Sequence, residues 1–224
     1  MEFIINCKII KLIIMDLDGT LYSSSSYMEH YYDFAVKALE DCFGYSENEA
    51  KKTLLDNNVY PKATSENGSV TQLVLSLGMG LQAWNNYRDT NFHIKIEEEK
   101  IVDKKVLYDI TRSFPVFLLT NNTLSEVSAL LSQMNISKKI FKKIITADSG
   151  EYKGDKLEGI KLISKISGIA LKNILSVGDK YWVDIEPFIK IGGNGFLVKN
   201  PEDIKDLWEK LKGMKQYEKS NHNT

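Results

Sequence analysis

Residues 11–20 read KLIIMDLDGT, and the reading of this decapeptide decides the fold. Lys11 to Met15 is an apolar run without alternation, as expected of a parallel strand covered by helices on both faces. At its carboxyl end stand Asp16 and Asp18, followed by Gly19 and Thr20, on the edge where open α/β sheets bind ligands. Two carboxylates two residues apart at the exposed end of a buried strand repel each other unless a cation lies between them. An isolated D-x-D is also a common polar turn, so the chemistry has to be decided by the rest of the chain.

Similar apolar runs recur at Pro115 to Leu119, Lys143 to Thr146, Asn173 to Val177 and Gly195 to Val198. Helical patterns separate them. Thr123 and Glu126 form a capping box, and Leu124, Val127, Leu130, Leu131 and Met134 follow at helical spacing. One further stripe opens near Lys156 (Leu157, Ile160, Ile163, Ile166) and another near Glu202 (Ile204, Leu207, Trp208, Leu211). Strand and helix thus alternate through residues 103–213, which predicts right-handed crossovers and a doubly wound parallel α/β sheet. Residues 22–102 break this rhythm with helical patterns around 31–42, 47–57, 69–77 and 81–87, and are expected to form a separate helical unit. The serines at 23–26 read as a flexible hinge into it. The polar segment after Gly213, residues 214–224, reads as a disordered tail.

Composition narrows the function classes. The 224 residues are 43% hydrophobic and 26% charged, the balance of a soluble globular protein. Twenty-nine basic residues against thirty acidic ones leave a net charge of −1, so no global field exists to hold nucleic acid. Cys7 and Cys42 are too few for a disulfide framework and lack zinc-site spacing, which fits a cytoplasmic setting. The apolar start from Phe3 to Met15 is interrupted by Asn6, Lys8 and Lys11, so it reads as buried strand rather than leader. No stretch reaches the roughly 20 apolar residues of a membrane span, and a soluble monomer or homodimer is expected.

Three later segments converge on the first. Asp179 and Asp184 follow the strand at 173–177 and should reach the same sheet edge as Asp16 and Asp18. A set of carboxylates without His or Cys suits Mg²⁺ better than zinc. Thr120, Asn121 and Asn122 close a third strand and offer a hydroxyl, amides and a helix N-terminus to an oxyanion. Lys156 opens a helix leading into the Asp179 strand, where an ammonium could balance the carboxylates and hold a phosphoryl group.

The ordered set D-x-D-G-T, hydrophobic-T-N, Lys, G-D-x4-D over residues 11–199 resembles the four motifs of the haloacid dehalogenase superfamily. Residues 22–102 resemble its helical C1 cap, and residues 1–21 with 103–213 its α/β core. The resemblance implies that Asp16 is a nucleophile forming a phospho-aspartate and Asp18 the acid and base. It implies Mg²⁺ held by Asp16, the backbone carbonyl of Asp18, Asp179 and Asp184. Thr120, supported by Asn121, would bind a phosphoryl oxygen. The family's Lys-Pro pair is absent, and both Lys153 and Lys156 lie in the corresponding stretch. Lys156 stands 23 residues before Asp179 and Lys153 stands 26, and the former spacing matches members without that proline.

The implied activity is hydrolysis of a small phosphorylated metabolite such as a nucleoside monophosphate, sugar phosphate or phosphoglycolate. Asp18 argues against a dehalogenase, whose halide leaving group needs no proton, and the context D-L-D-G-T-L-Y with T-N-N resembles the pyrimidine 5′-nucleotidase-like branch. A phosphomutase on the same scaffold and a catalytically silent binding protein are the alternatives. His30, His93, His222, Trp84 and Tyr87 read as structural or solvated residues.

Overall fold

The computed structural model describes residues 2–4, 9–23, 25–61, 68–92, 100–150, 152 and 154–221, with backbone alone for 2, 3, 25, 26 and 215–221. Its centre is strand β2 (Leu12–Met15), every residue of which is buried. Successive side chains of a strand point to opposite faces. Accordingly Ile13 and Met15 join one apolar cluster, and Leu12 and Ile14 join another on the far side of the sheet. That two-sided burial explains why the run is apolar without alternation.

β2 pairs in parallel with β5 (Val116–Leu119) on one side and β7 (Ile174–Gly178) on the other. Beyond β5 lies β6 (Lys143–Ile145), and beyond β7 lies β8 (Asn194–Leu197), again in parallel register. The four later parallel strands fall on the expected runs. From β2 the chain builds outward through β5 and β6, then returns to the other side of β2 for β7 and β8. The loops after β2 and β7 therefore diverge at a topological switch point, where a crevice opens at the carboxyl ends of the strands.

The sheet has one member that the sequence reading merged into the first strand. β1 (Glu2–Ile4) is separate and antiparallel to β8, with Phe3 opposite Phe196, at the edge beyond β8. Helices α5 (Lys104–Ser113), α6 (Leu124–Gln133), α7 (Lys156–Ser167) and the short α8 (Glu186–Lys190) complete the crossovers. α6 starts at the expected capping box, with Thr123 and Glu126 bonding each other's backbone N–H groups. The last helix, α9 (Ile204–Asn221), continues past Gly213, so through residue 221 the segment expected to be disordered is helical.

Among the described residues between β2 and α5 lie two short strands and four helices. β3 (Tyr22–Ser23) and β4 (Lys100–Ile101) pair antiparallel where the chain leaves and re-enters the core. They bracket α1 (Ser25–Phe43), α2 (Glu47–Asp56), α3 (Val70–Ser76) and α4 (Leu81–Asn91). Three serines of the expected hinge lie in regular structure, and Ser24 lies outside the described residues. Ser23 belongs to β3, and Ser25 and Ser26 to the first turn of α1. The insert also shares its interior with the core, since one continuous apolar cluster holds Ile13 and Met15 together with Phe34, Leu39, Leu73 and Trp84. Among the described residues no helix is long and apolar enough to cross a membrane.

Candidate active site

Asp16 follows β2 directly, and its backbone N–H donates to Val177 of β7 at 2.9 Å. The turn after it depends on Gly19, whose φ of +74° favours a residue without a side chain. A Cβ at Gly19 would stand 2.2 Å from Asp179 Oδ2, so this glycine also lets the two loops approach. Gly178 serves the second loop in the same way, since a Cβ there would lie 2.4 Å from Asp184. Beyond Asp179 the chain forms a π-helical turn, Tyr181–Ile185, an irregularity common at functional sites. It folds Asp184 back against the strand. Lys180 N–H donates to Asp184 Oδ2 at 3.1 Å, and the Ser176 hydroxyl donates to the Asp184 carbonyl at 2.7 Å.

Asp16, Asp179 and Asp184 each bring one carboxylate oxygen to within 4.8 Å of the others. Asp179 Oδ1 is buried with no hydrogen-bond partner among the described residues, an expensive state for a carboxylate oxygen unless a cation is near. Burial pushes the Asp179 carboxyl well up from its ordinary value and Asp184 up to about 6, and neighbouring carboxylates add to both shifts. An all-oxygen, partly unsatisfied acidic trio fits a hard divalent cation such as Mg²⁺.

Lys156 opens α7 at the centre of this charge. Its Nζ donates to Asp16 Oδ1 at 2.5 Å and to the Leu119 carbonyl at 2.6 Å, and lies 3.5 Å from Asp184 Oδ1. Burial works against the ammonium, but Asp16 and Asp184 outweigh it and hold Lys156 above the ordinary lysine range. Lys153, the other candidate from the sequence, lies outside the described residues, as do His93 and His222.

Asp18 is held by a different set of partners. Asn122 Nδ2 donates to its Oδ2 at 2.9 Å and Oδ1 at 3.2 Å, and the Tyr22 hydroxyl donates to Oδ1. Burial raises the Asp18 carboxyl and Asp16 raises it further, while both hydrogen bonds pull the other way; the net direction is up. Thr120 is fully buried beneath the site, and its Oγ1 accepts the Asn122 N–H at 3.2 Å. Asn121 lines the cavity, its Oδ1 accepting from the Tyr152 hydroxyl.

The cavity, about 100 Å³, lies between the core and the insert. Asp16, Asp18, Asn121, Asn122, Lys156, Lys180 and Asp184 line its core side, and Tyr27, Tyr31, Tyr32, Tyr60 and Arg88 come from the insert. His30 is exposed and is not among the lining residues. Trp84 is wholly buried with its indole N–H on Thr71, and Tyr87 donates to Asp41, so both are structural as expected.

Sequence reasoning missed three contributors. Lys180 was in view inside the G-D-x4-D segment, but only the fold turns it toward the acids, whose charges keep it protonated against burial. Tyr22 closes the D-L-D-G-T-L-Y context four residues beyond Asp18, but no sequence signal assigned it a role. Arg88, in the insert, had no local signal.

Over residues 10–192 the sequence matches the family described as haloacid dehalogenase-like hydrolase. No curated protein matches the chain. Solved structures do. A haloacid dehalogenase-like family hydrolase from Xanthomonas campestris aligns with TM-score 0.54 at 15% identity, covering 93% of this chain and 99% of its own. A HAD phosphatase from Thermococcus onnurineus aligns with TM-score 0.55 at 11% identity, covering 88% and 97%. A predicted phosphoglycolate phosphatase from Haemophilus somnus aligns with TM-score 0.53 at 16% identity, also covering 88% and 97%. At these identities the likeness is one of fold.

Proposed function

The chain belongs to the haloacid dehalogenase-like hydrolase family, and on that premise we propose that it is a magnesium-dependent phosphatase acting on a small phosphate monoester through a phospho-aspartate on Asp16. The observation that carries this reading is the opposite surroundings of two carboxylates two residues apart. Asp16 meets the Lys156 ammonium at 2.5 Å, whereas Asp18 sits apart from that charge with its carboxyl raised by burial. Divergent environments of this kind divide nucleophile from general acid.

In this mechanism Asp16 attacks phosphorus while Asp18 protonates the leaving oxygen. The Asp18 carboxylate then takes a proton from the water that hydrolyses the acyl phosphate. Lys156 orients Asp16 and offers its remaining donor capacity to the phosphoryl group. Thr120, whose Oγ1 accepts from Asn122 and keeps its own hydrogen to donate, and Asn121 are assigned to the phosphoryl oxygens. Asp16, Asp179, Asp184 and the backbone carbonyl of Asp18 would hold Mg²⁺, which supplies charge neutralisation for the incoming phosphate. Residues 22–102 are assigned as a cap that excludes water. Tyr27, Tyr31, Tyr32, Tyr60 and Arg88 of the insert wall the cavity opposite the core, which favours a small metabolite, such as a nucleoside monophosphate, sugar phosphate or phosphoglycolate.

The test is turnover of p-nitrophenyl phosphate in Mg²⁺, after EDTA, and after Mg²⁺ is restored, followed by a panel of phosphorylated metabolites. Activity should vanish in EDTA and return with Mg²⁺. Undiminished hydrolysis in metal-free buffer, or none of any ester by the folded protein in Mg²⁺, would refute the proposal.

A further inference from the structure

Arg88 stands on α4 in the insert, yet each hydrogen-bond acceptor of its guanidinium belongs to the α/β core. Nη1 donates to the Asn121 carbonyl at 2.7 Å; Nη2 donates to Asn122 Oδ1 at 3.0 Å and to Glu126 Oε2 at 2.6 Å. The Arg88 side chain is 1% exposed and that of Glu126 4%. The guanidinium also lies about 6 Å from the ring centres of Tyr31 and Trp84, within cation–π range. The next residue, Asp89, accepts the Thr123 hydroxyl at 2.7 Å. The insert therefore grips both members of the α6 capping box, directly after the loop that carries Thr120, Asn121 and Asn122.

This grip fixes the direction of the Asn122 amide, which has an accepting oxygen and a donating nitrogen. With Arg88 on Oδ1, Nδ2 must face Asp18, to which it donates at 2.9 and 3.2 Å. The reverse orientation would set NH₂ against the guanidinium and the amide oxygen against the carboxylate. Electrostatics on both sides thus select one orientation.

We propose that Arg88 is the positioning residue for Asp18: the guanidinium locks Asn122, and through it the carboxylate, only when the insert is seated on the core. The proposal rests on the reading of Asp18 as acid and base, and it gives the insert a role in proton transfer as well as in enclosure. A lysine could pair with Glu126, but a single ammonium cannot reproduce the planar fork that spans Asn121, Asn122 and Glu126.

The test uses full-length Arg88→Met, Arg88→Lys, Asn122→Ala and the Met/Ala double variant, with kcat and KM measured on p-nitrophenyl phosphate at saturating Mg²⁺. Misalignment of the acid should lower kcat about 10- to 100-fold in each single variant, with KM within about threefold. The double variant should fall no more than about threefold below the weaker single, because both substitutions break one relay. Arg88→Lys keeps a cation beside Glu126, and its kcat should stay low in a folded protein. Where Arg88→Met does not fold, the cycle is run with Arg88→Lys. Wild-type kcat in Arg88→Lys, or losses that multiply in the double variant, would overturn the proposal.

A second readout is independent of turnover. The Asn122 side-chain amide protons should be shifted in the wild-type NMR spectrum and move to the position of free asparagine amides in Arg88→Lys; an unchanged resonance would also overturn the relay. If the wild type hydrolyses no phosphate ester, the acid–base reading of Asp18 falls by itself, and the amide signal still decides whether Arg88 orients Asn122.

Discussion

Replacing Lys156 by methionine removes an ammonium and keeps most of its stem, leaving Asp16 and Asp184 without the cation they share. The Lys156, Asp16 and Asp184 side chains are 8%, 11% and 4% exposed. At an effective dielectric of about 20, the 3.5 Å pair with Asp184 alone is worth about 5 kcal/mol before desolvation is counted. Burying the ammonium offsets much of that gain, but removing one partner of a buried pair still costs about 3–5 kcal/mol. Native domains hold about 5–15 kcal/mol, so the variant is expected to fold with a large part of its stability gone.

The pH dependence of that loss separates charge from packing. Asp184 has a folded-state value of about 6, above the ordinary 3.8, even with Lys156 pulling it down. Without the lysine it rises further. An acid raised in the folded state favours folding below its unfolded value and loses that contribution as pH climbs through the folded value. Lys156→Met should therefore show a smaller deficit at about pH 5 than at about pH 8, where Asp184 is ionised as well. Urea unfolding in EDTA at both pH values, with unchanged m-values, measures this without a cation masking the effect. Turnover in Mg²⁺ should fall at least about a hundredfold, whereas Lys153→Met should leave kcat within about threefold. A deficit of equal size at both pH values would refute the charge argument, and loss of turnover in Lys153→Met but not in Lys156→Met would move the role to Lys153.

Three further outcomes are expected. Asp16→Asn should cut turnover by at least about a thousandfold with the fold retained, checked by steady-state kinetics and circular dichroism; substantial residual activity would remove Asp16 as nucleophile. In EDTA the wild-type melting temperature should fall as pH rises through about 4 to 6, the window of the raised acid at Asp184. Mg²⁺ should then raise it more at about pH 8 than at about pH 5, because the ion needs ionised ligands; calorimetry showing equal stabilisation at both would contradict the metal assignment. Gly19→Ala combines a φ of +74° with a Cβ 2.2 Å from Asp179 Oδ2, so it should destabilise by at least about 1 kcal/mol and weaken Mg²⁺ binding. Unchanged affinity by titration calorimetry would show that Asp179 is not held by that turn.

The sequence by itself determined the parallel strands, the helices between them and the order of the acidic motifs, because those signals are local. Leu12 to Met15 is apolar on every residue since both faces of β2 are covered, and Thr123 and Glu126 mark the start of α6 by a bond between near neighbours. The tertiary structure decided what depends on pairing across the chain. The antiparallel place of β1 follows from an edge at β8 that no local pattern reveals. Nothing in the polar composition after Gly213 announced that α9 continues to Asn221. The charge set against Asp16 comes from a lysine 140 residues away, and the donor that aligns Asp18 comes from Asn122, itself fixed by Arg88 of the insert. Carboxylates at a strand end can be read from spacing, whereas the cations and amides that make them differ in chemistry meet them only when distant elements pack.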